Sequence, residues 1–290
     1  MRANLIHNPT AGDEQATAED LVAILEQEGF QVRYQSTKKN WKKALQEPAD
    51  LAIAAGGDGT VAKVLRHMAG SDIPVALLPI GTANNICRSL GVSGDLRELM
   101  TSWKKAEPRP FDIGLVSTRD GERRFVEACG GGLFALATER GREMVEPATS
   151  YVGNEIDRAL AMLHGIVADA PLQEWKVEVD GQDHSGSYVA VEVMNIRFAG
   201  PGVPIAPKAK PGDGVLNVVL IKNADRKKLL KYLRGRTGHE EVTLPELTTV
   251  RGKSIRLTPP DGRLRIDDEV HDGIQGHVDV LVRHAAVLTL

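Results

Sequence analysis

The first hundred residues alternate between short apolar runs and segments whose apolar residues recur at helical spacing. Leu21, Ile24 and Leu25, for example, fall on one face of a helix that is expected to end at Gly29. The pattern predicts strand 3–7, helix 16–28, strand 30–34, helix 41–46, strand 51–55, helix 60–68 and strand 75–78. Such alternation is typical of a parallel sheet covered by helices on both faces, so we expect a doubly wound α/β domain.

After Pro108-Arg109-Pro110 the pattern changes to short runs in which apolar and polar positions alternate. These runs predict strands at 175–179, 188–193, 215–221, 254–257, 264–266 and 277–282, with helices near 154–168 and 226–234. Gly-Asp and Asp-Gly turns separate them, as is typical of antiparallel sheets. We therefore expect an α/β domain over 1–109, to which 284–290 return, and an antiparallel β-rich domain over 110–283.

Composition and charge narrow the class of protein. Of the 290 residues, 42% are hydrophobic, which is enough for two ordinary domain cores. The net charge of −3 provides no basic field for a nucleic-acid partner. Cys87 and Cys129 have neither disulfide nor zinc spacing, and the chain shows neither a signal-peptide pattern nor a membrane-spanning apolar run of about 18 residues. These features predict a soluble, cytoplasmic protein with reduced thiols.

The glycine-rich loop at 56–60 carries the clearest chemical signal. Its residues follow the apolar run 51–55 and lead into a helix, so their N–H groups can converge on an anion; they are Gly56, Gly57, Asp58, Gly59 and Thr60. Asp58 would repel a bare phosphate, and its place is better explained if Mg²⁺ lies between the two. The loop predicts a nucleotide triphosphate site, with an ordinary Gly-Asp-Gly turn as the alternative.

Two further segments are expected at the same edge of the sheet. Asn8 follows the first predicted strand, and residues 81–84 follow the fourth. The glycine loop follows the third, and the carboxyl ends of parallel strands share one edge, where ligands bind. This convergence favours a site over a set of unrelated turns.

Several segments together resemble one family, the diacylglycerol kinase catalytic fold shared by bacterial lipid kinases, sphingosine kinases and ceramide kinases. The resemblance covers nearly the whole chain, in the right order. The matching segments are His7-Asn8-Pro9-Thr10-Ala11-Gly12, the 56–60 loop, Leu78-Pro79-Ile80-Gly81-Thr82-Ala83-Asn84, Phe111-Asp112-Ile113-Gly114, Gly130-Gly131-Gly132, 195–202 with Ile205-Ala206-Pro207, Gly212-Asp213-Gly214-Val215-Leu216 and Ile266-Asp267-Asp268-Glu269. A glycine loop of this type alone also occurs in NAD kinases and phosphofructokinases, whereas the ordered set is specific.

The resemblance implies an ATP- and Mg²⁺-dependent kinase that phosphorylates a lipid hydroxyl in a cleft between the two domains. ATP would contact Asn8, Pro9, Thr10, Ala11, Gly12, Thr37, Gly56, Gly57, Asp58, Gly59, Thr60, Val61, Ala62, Thr82 and Asn84. Asp58 would hold the catalytic Mg²⁺ through water, and Asp267 or Glu269 would deprotonate the acceptor. A structural Mg²⁺ would be held by Asp213 and by the backbone carbonyls of Lys210 and Val215. Peripheral contact with a membrane is implied, and homodimer formation is left open.

The chain departs from the family pattern at four positions. Lys63 and Asn85 stand where the family usually has Glu and Asp, Asp268 replaces the glycine of Asp-Gly-Glu, and Gly212 replaces an aspartate at the structural metal. Lys63 could bind a phosphate or simply point to solvent. Fewer carboxylates weaken the surroundings of a Mg²⁺–phosphate site. Two alternatives therefore stay open: a kinase of a soluble hydroxyl compound, and a nucleotide-binding regulator with little turnover.

Two further segments have both a functional and an ordinary interpretation. Asp267 and Glu269 are two residues apart, so on a strand they would face the same side as a pair of acids suited to general-base work, or else form the rim of a solvated hairpin. The segment 225–234 is a basic amphipathic helix. Its basic face could be merely solvated, or it could meet anionic lipid headgroups.

Overall fold

The computed structural model describes residues 1–11, 16–119, 121–143 and 154–290, without the side chains of 284–288. The chain forms two compact units. The first comprises Met1–Ile113, Lys210–Gly214 and Arg283–Leu290, and the second comprises Gly114–Ala209 and Val215–Val282. From the sequence, the boundary was expected after residue 109, and the five-residue segment Lys210–Gly214 was not expected in the first unit.

The first unit is built on parallel strands. Its strands are β1 (Arg2–His7), β2 (Gln31–Ser36), β3 (Leu51–Gly56) and β4 (Val75–Pro79), and its helices are α1 (Ala18–Gln27), α2 (Trp41–Ala44), α3 (Asp58–Met68), α4 (Asn85–Leu90) and α5 (Leu96–Ser102). The strands lie in the order β4-β3-β1-β2, and Thr289 near the C-terminus pairs with Val75 on β4. The predicted α/β fold is confirmed for this unit.

Local sequence explains why these elements form. The strand β3 is apolar at every position and fully buried, as a central strand of a two-sided parallel sheet should be. Thr17 and Asp20 form a capping box at the start of α1, and Leu21 and Leu25 are its buried residues. The two short helices α4 and α5 were not predicted, and α3 begins at Asp58 rather than at 60.

The second unit is rich in antiparallel strands. Two strands, β5 (Arg109–Thr118) and β17 (Val278–Thr289), have residues in both units. The other strands are β6 (Gly121–Phe125), β7 (Ala128–Gly132), β8 (Gln173–Val179), β9 (Gln182–Asp183), β10 (Gly186–Tyr188), β11 (Ala190–Met194), β12 (Leu216–Ile221), β13 (Thr248–Gly252), β14 (Ser254–Thr258), β15 (Leu264–Ile266) and β16 (Glu269–His271). The helices are α6 (Leu133–Glu143), α7 (Glu155–Asp169) and α8 (Arg226–Thr237), which a 3-10 turn (Asn223–Asp225) precedes.

Two layers of strands and one layer of helices make up this unit. One sheet has the order β13-β12-β11-β7-β15-β16, and β10, β8, β14 and β17 are neighbours in the other. Trp175 is fully buried in the apolar core that the two sheets share. Residues of α6, α7 and α8, such as Leu163 and Leu233, form a second core with the six-stranded sheet. The predicted antiparallel β-rich domain is confirmed.

The basic segment forms α8, whose buried residues include Leu229 and Leu233, while Lys227, Lys231 and Arg234 are exposed. Within the described parts of the chain, no helix combines the length and the apolar character that crossing a membrane requires.

Candidate active site

The loops that follow the parallel strands of the first unit meet at one edge of its sheet. His7 pairs with Ala55, and Gly56 pairs with Pro79, so β1, β3 and β4 end side by side. The amide of Asn8 donates to Ala55 O at 2.9 Å, and the amide of Thr37 donates to His7 O at 2.8 Å. The strand register therefore brings the ends of four strands together at the edge where the sequence analysis expected a site.

The glycine loop and the 79–84 turn touch through two glycines. A Cβ atom on Gly81 would lie 2.2 Å from Gly57 Cα, which is closer than any real contact. Gly81 therefore has no room for a side chain, and a Cβ atom on Gly57 would lie a tight 3.3 Å from Gly81 Cα, so main chain faces main chain at this point. The close approach leaves a rim of backbone atoms on which a bulky anion can rest.

The start of α3 supplies amide donors at this rim. The amides of Thr60 and Val61 both donate to Gly57 O, at 2.9 Å and 3.1 Å, and these are the first hydrogen bonds of the helix. The amides of Gly57, Asp58 and Gly59 come before this first turn, where helical N–H groups have no intrahelical acceptor. Together with the positive end of the helix dipole they form an arrangement that binds phosphate groups well.

Asp58 holds the start of α4. One carboxylate oxygen accepts the amide of Asn85 at 2.9 Å, and the other accepts the amide of Ile86 at 2.9 Å. Burial raises the pKa of Asp58, and these two amides and the charge of Arg88 oppose that shift. From the sequence, Asp58 was expected to hold Mg²⁺, and its role as a helix cap was not anticipated. Each oxygen keeps a second lone pair, so the side chain still fits contact with a metal through water.

The side chains of several predicted ATP-contacting residues serve the fold. Thr60 packs on Gly56, where an added Cβ would lie 2.6 Å from Thr60 Cβ. Val61 and Ala62 are 1% and 2% exposed, so their side chains face the core and do not reach a ligand at the rim. The reason is their position on the inner face of α3, which the motif does not reveal.

The 79–84 turn is held by its own asparagine. The Asn84 side chain donates to Gly81 O at 2.6 Å and accepts the Gly81 amide at 3.1 Å, and its φ of 49° is left-handed. Thr82 is exposed beside it. On the first loop, Asn8 Oδ1 accepts the Thr10 hydroxyl at 3.0 Å. Pro9 and Ala11 are partly exposed, and Gly12 lies outside the described residues.

The two substituted positions near the loop have different surroundings. Lys63 is exposed on α3, as the solvent-facing alternative expects. Asn85 is 3% exposed at the first residue of α4, and its amide is one of the two that Asp58 accepts. In the described parts of the chain, no group of three His, Cys, Asp or Glu residues could hold a metal ion by itself.

A buried aspartate organises the predicted structural metal loop. Asp112 is 0% exposed, and its Oδ2 accepts the amides of Gly212 at 3.0 Å and Gly214 at 2.7 Å. The amide of Asp213 donates to Lys210 O at 3.2 Å, and the Asp213 side chain is exposed. Gly212 has a φ of 122°, and a Cβ there would lie 2.2 Å from Pro110 O, so the aspartate usual in the family cannot be accommodated in this backbone. Asp213 and the carbonyls of Lys210 and Val215 remain the predicted ligands of a structural metal.

Asp267 lies in a turn and not on a strand, which corrects the expectation that it shares a face with Glu269. Ile266 pairs with Glu269 across the β15–β16 hairpin, and Asp267 has a left-handed φ of 50°. Asp267 is 3% exposed, and its carboxylate accepts the amides of Val126 at 3.0 Å and Glu127 at 2.8 Å. Glu269 is exposed at the start of β16. The two acids therefore occupy different environments, one buried and one open.

Sequence reasoning missed a buried ion pair in the second unit. Glu192 is 0% exposed, and its Oε2 lies 2.6 Å from Arg265 Nη2. Burial raises the pKa of Glu192, and Arg265 opposes that shift. A single acid within the apolar run 188–194 was the signal that could have revealed the pair.

Comparison with known proteins agrees with the geometry of both units. Residues 2–116 match the model of the diacylglycerol kinase catalytic domain, and residues 148–286 match that of the YegS C-terminal NAD kinase beta sandwich-like domain. The chain belongs to the diacylglycerol kinase family. The family consists of phosphotransferases that use an alcohol group as acceptor, and the resemblance read from the motifs is confirmed.

Three individual proteins illustrate the similarity. A diacylglycerol kinase of Bacillus subtilis is 24% identical over 302 residues, covering 99% of this chain and 96% of its own. The crystal structure of a diacylglycerol kinase from Bacillus anthracis superposes with a TM-score of 0.72 at 23% identity, covering 99% of this chain and 96% of that one. An NAD kinase from Archaeoglobus fulgidus, solved in complex with ATP, has a TM-score of 0.56 at 13% identity, covering 100% and 93%. The two superpositions show that this chain has the same fold as these two proteins.

Proposed function

We propose that this chain transfers the γ-phosphoryl group of ATP to a hydroxyl group of a diacylglycerol-like lipid, with Mg²⁺ as the metal. The observation that carries the proposal is the contact between Gly57 and Gly81 beside the first amides of α3. A triphosphate fits a rim where two glycines meet and where backbone donors lie beside them. The lipid acceptor is supported by the names of the relatives, a diacylglycerol kinase of Bacillus subtilis among them.

The first unit is proposed to bind the nucleotide. The β- and γ-phosphates would rest on the amides of Gly57, Asp58 and Gly59, while Asn8, Thr37 and Thr82 line the same edge. Asp58 would hold Mg²⁺ through water, because both of its oxygens already accept amides. When bound, the metal supplies neutralisation of the phosphate charge. Catalysis of this type consists mainly of positioning and charge neutralisation.

The second unit is proposed to activate the acceptor. Glu269 is the better general base because its side chain is 63% exposed, whereas the Asp267 carboxylate is buried against backbone amides. Glu269 would take the proton of the lipid hydroxyl as its oxygen bonds to the γ-phosphorus. The bond from that phosphorus to the β–γ bridging oxygen breaks, and ADP leaves. Asp267 fixes the turn that presents Glu269.

A lipid substrate requires contact with a membrane surface. The exposed cations of α8 support a transient, peripheral attachment to anionic headgroups at the cytoplasmic face. The helix contains basic residues and no Asp or Glu, so its charge is uniformly positive. The attachment would be reversible, since electrostatic contact alone is weakened by salt.

The direct test is transfer of labelled phosphate from ATP, read by mass spectrometry of the products. Diacylglycerol in mixed micelles is compared with glycerol in the absence of lipid and detergent. We expect a lipid phosphomonoester, and we expect Glu269→Gln to lower kcat by about 10²- to 10⁴-fold. Glu246→Gln is the matched control, because Glu246 is 67% exposed in the same unit and should leave the rate unchanged.

Other results would identify the alternatives. Transfer to glycerol that persists without lipid would show a kinase of soluble hydroxyl compounds. Tight ATP binding with no transfer to any lipid would show a nucleotide-binding regulator, and turnover gained by Asn85→Asp would identify the cause.

A further inference from the structure

Glu192 and Arg265 lie in one row of the six-stranded sheet of the second unit, on either side of a glycine. Glu192 on β11 pairs with Gly130 on β7, and Arg265 on β15 pairs with the same Gly130. Two strands that are not neighbours thus present opposite charges across a residue without a side chain. The charges can meet only by reaching over that glycine.

The missing side chain of Gly130 creates this space. A Cβ atom there would lie 2.7 Å from Glu192 Cδ and 2.2 Å from Val191 O. Over the glycine, Arg265 Nη2 meets Glu192 Oε2 at 2.6 Å. The guanidinium group also lies 5.9 Å from the centre of the Phe134 ring, within range of a cation–π contact.

The other end of the guanidinium group holds the acidic turn. Arg265 Nη1 donates to Asp267 O at 2.7 Å, and the Asp267 amide donates to Ala128 O at 2.8 Å. The carboxylate of Asp267 accepts the amides of Val126 and Glu127. Asp267, which has a left-handed backbone conformation, is thus held through its carbonyl, its amide and its side chain. It lies two residues before Glu269.

Stability alone is a poor explanation for this pair. Glu192 Oε1 and Arg265 Nε are buried and have no hydrogen-bond partner among the described residues. A buried ion pair with unsatisfied atoms contributes little net stability, and apolar replacements of similar volume often equal it. What an apolar pair could not supply is the directed donor to Asp267 O.

We propose that Arg265, oriented by Glu192 across Gly130, is a positioning residue that sets the Asp267 turn and thereby the place of Glu269. The expected effect of Arg265 on catalysis rests on the proposed function, whereas its expected effect on the turn does not. Neither residue touches the acceptor in this scheme. Arg265 acts on Asp267, and Asp267 on the strand that carries the base.

The test combines two measurements on Arg265→Lys and Glu192→Gln in the full-length protein. A lysine has no fork and cannot reach both Glu192 and the turn, and a glutamine cannot hold the guanidinium by charge. We expect kcat for diacylglycerol to fall about 10²-fold with the KM for ATP unchanged, because small misplacements of a catalytic group are costly. Amide hydrogen exchange without substrate should become faster at Val126 and Glu127, whose amides the turn accepts.

Arg256→Lys is the matched control, because Arg256 forms an exposed ion pair with Asp279 in the same unit. It should change neither readout. Slow exchange retained at 126 and 127 in both variants, with or without a loss of rate, would overturn the proposal. So would an equal loss of ATP affinity and rate, which a general loss of stability predicts. If the wild type phosphorylates no lipid but exchange accelerates in both variants, the proposed function fails and the positioning role stands.

Discussion

At the scale of single residues, the candidate site depends on glycines, whose lack of a side chain lets two loops come into contact. The motif made the glycine loop recognisable, because three glycines beside one acid between a strand and a helix favour an anion site. It did not reveal that Gly57 and Gly81 touch, since the two are 24 residues apart and only the strand register joins them. The glycines in the sequence predict a flexible backbone conformation, whereas the contact between the two loops depends on the tertiary structure and cannot be predicted from the motif.

The first prediction concerns Gly81→Ala. Its Cβ would collide with Gly57 Cα, so the loops must separate, and we expect a loss of stability of about 1–3 kcal/mol together with weaker ATP binding. Urea unfolding and isothermal titration calorimetry measure the two effects. Gly165→Ala is the control, because a Cβ at that helical position meets no atom within 4 Å. Unchanged ATP affinity in Gly81→Ala would contradict the assigned site.

At the scale of elements, the helices that start at the edge of the sheet are linked by one side chain. Asp58 is the first residue of α3 and caps α4, which begins 27 residues later. Apolar spacing predicted α3 but not α4, because Asn84 provides no side-chain cap for α4 and its cap comes from elsewhere in the chain. For the segment 267–269, the structure supports the hairpin interpretation and not the shared strand face, although Asp267 is buried in the turn. A period-two pattern cannot show where a strand gives way to a two-residue turn.

The second prediction separates the two roles of Asp58. Asp58→Ala should lower the free energy of unfolding by about 0.5–2 kcal/mol, as the loss of a helix cap does. Asp58→Asn keeps one carbonyl oxygen as an acceptor and should recover part of that stability. Neither variant restores the negative charge, so both should lose phosphoryl transfer. Urea titrations with parallel rate assays measure this.

Asp95→Ala provides the comparison for a cap without a catalytic role. Asp95 accepts the amides of Arg97 and Glu98 at the start of α5. We expect a similar loss of stability and a normal rate. If Asp58→Asn kept the full rate of transfer, Asp58 would be a cap alone and the metal role would be excluded.

At the scale of the whole molecule, the order of motifs predicted more than any single motif did. The α/β and β-rich parts followed from hydrophobic periodicity, and the family followed from the ordered set of segments. The segment Lys210–Gly214 could not be placed in the first unit from sequence. It is held there by Asp112, through hydrogen bonds that span 100 and 102 residues of chain. Likewise, the sequence shows an acid at position 192, but it does not show that Arg265 and Gly130 lie next to it in the sheet.

The backbone amides at the start of α3 are proposed to bind the triphosphate of ATP. The most direct test is a ¹⁵N NMR titration of the protein with ATP and Mg²⁺, following the backbone amide resonances. We expect the largest shifts at Gly57, Asp58 and Gly59, with smaller shifts at Asn8 and Thr82. Binding that leaves the amides of 57–59 unshifted while others move would contradict this proposal.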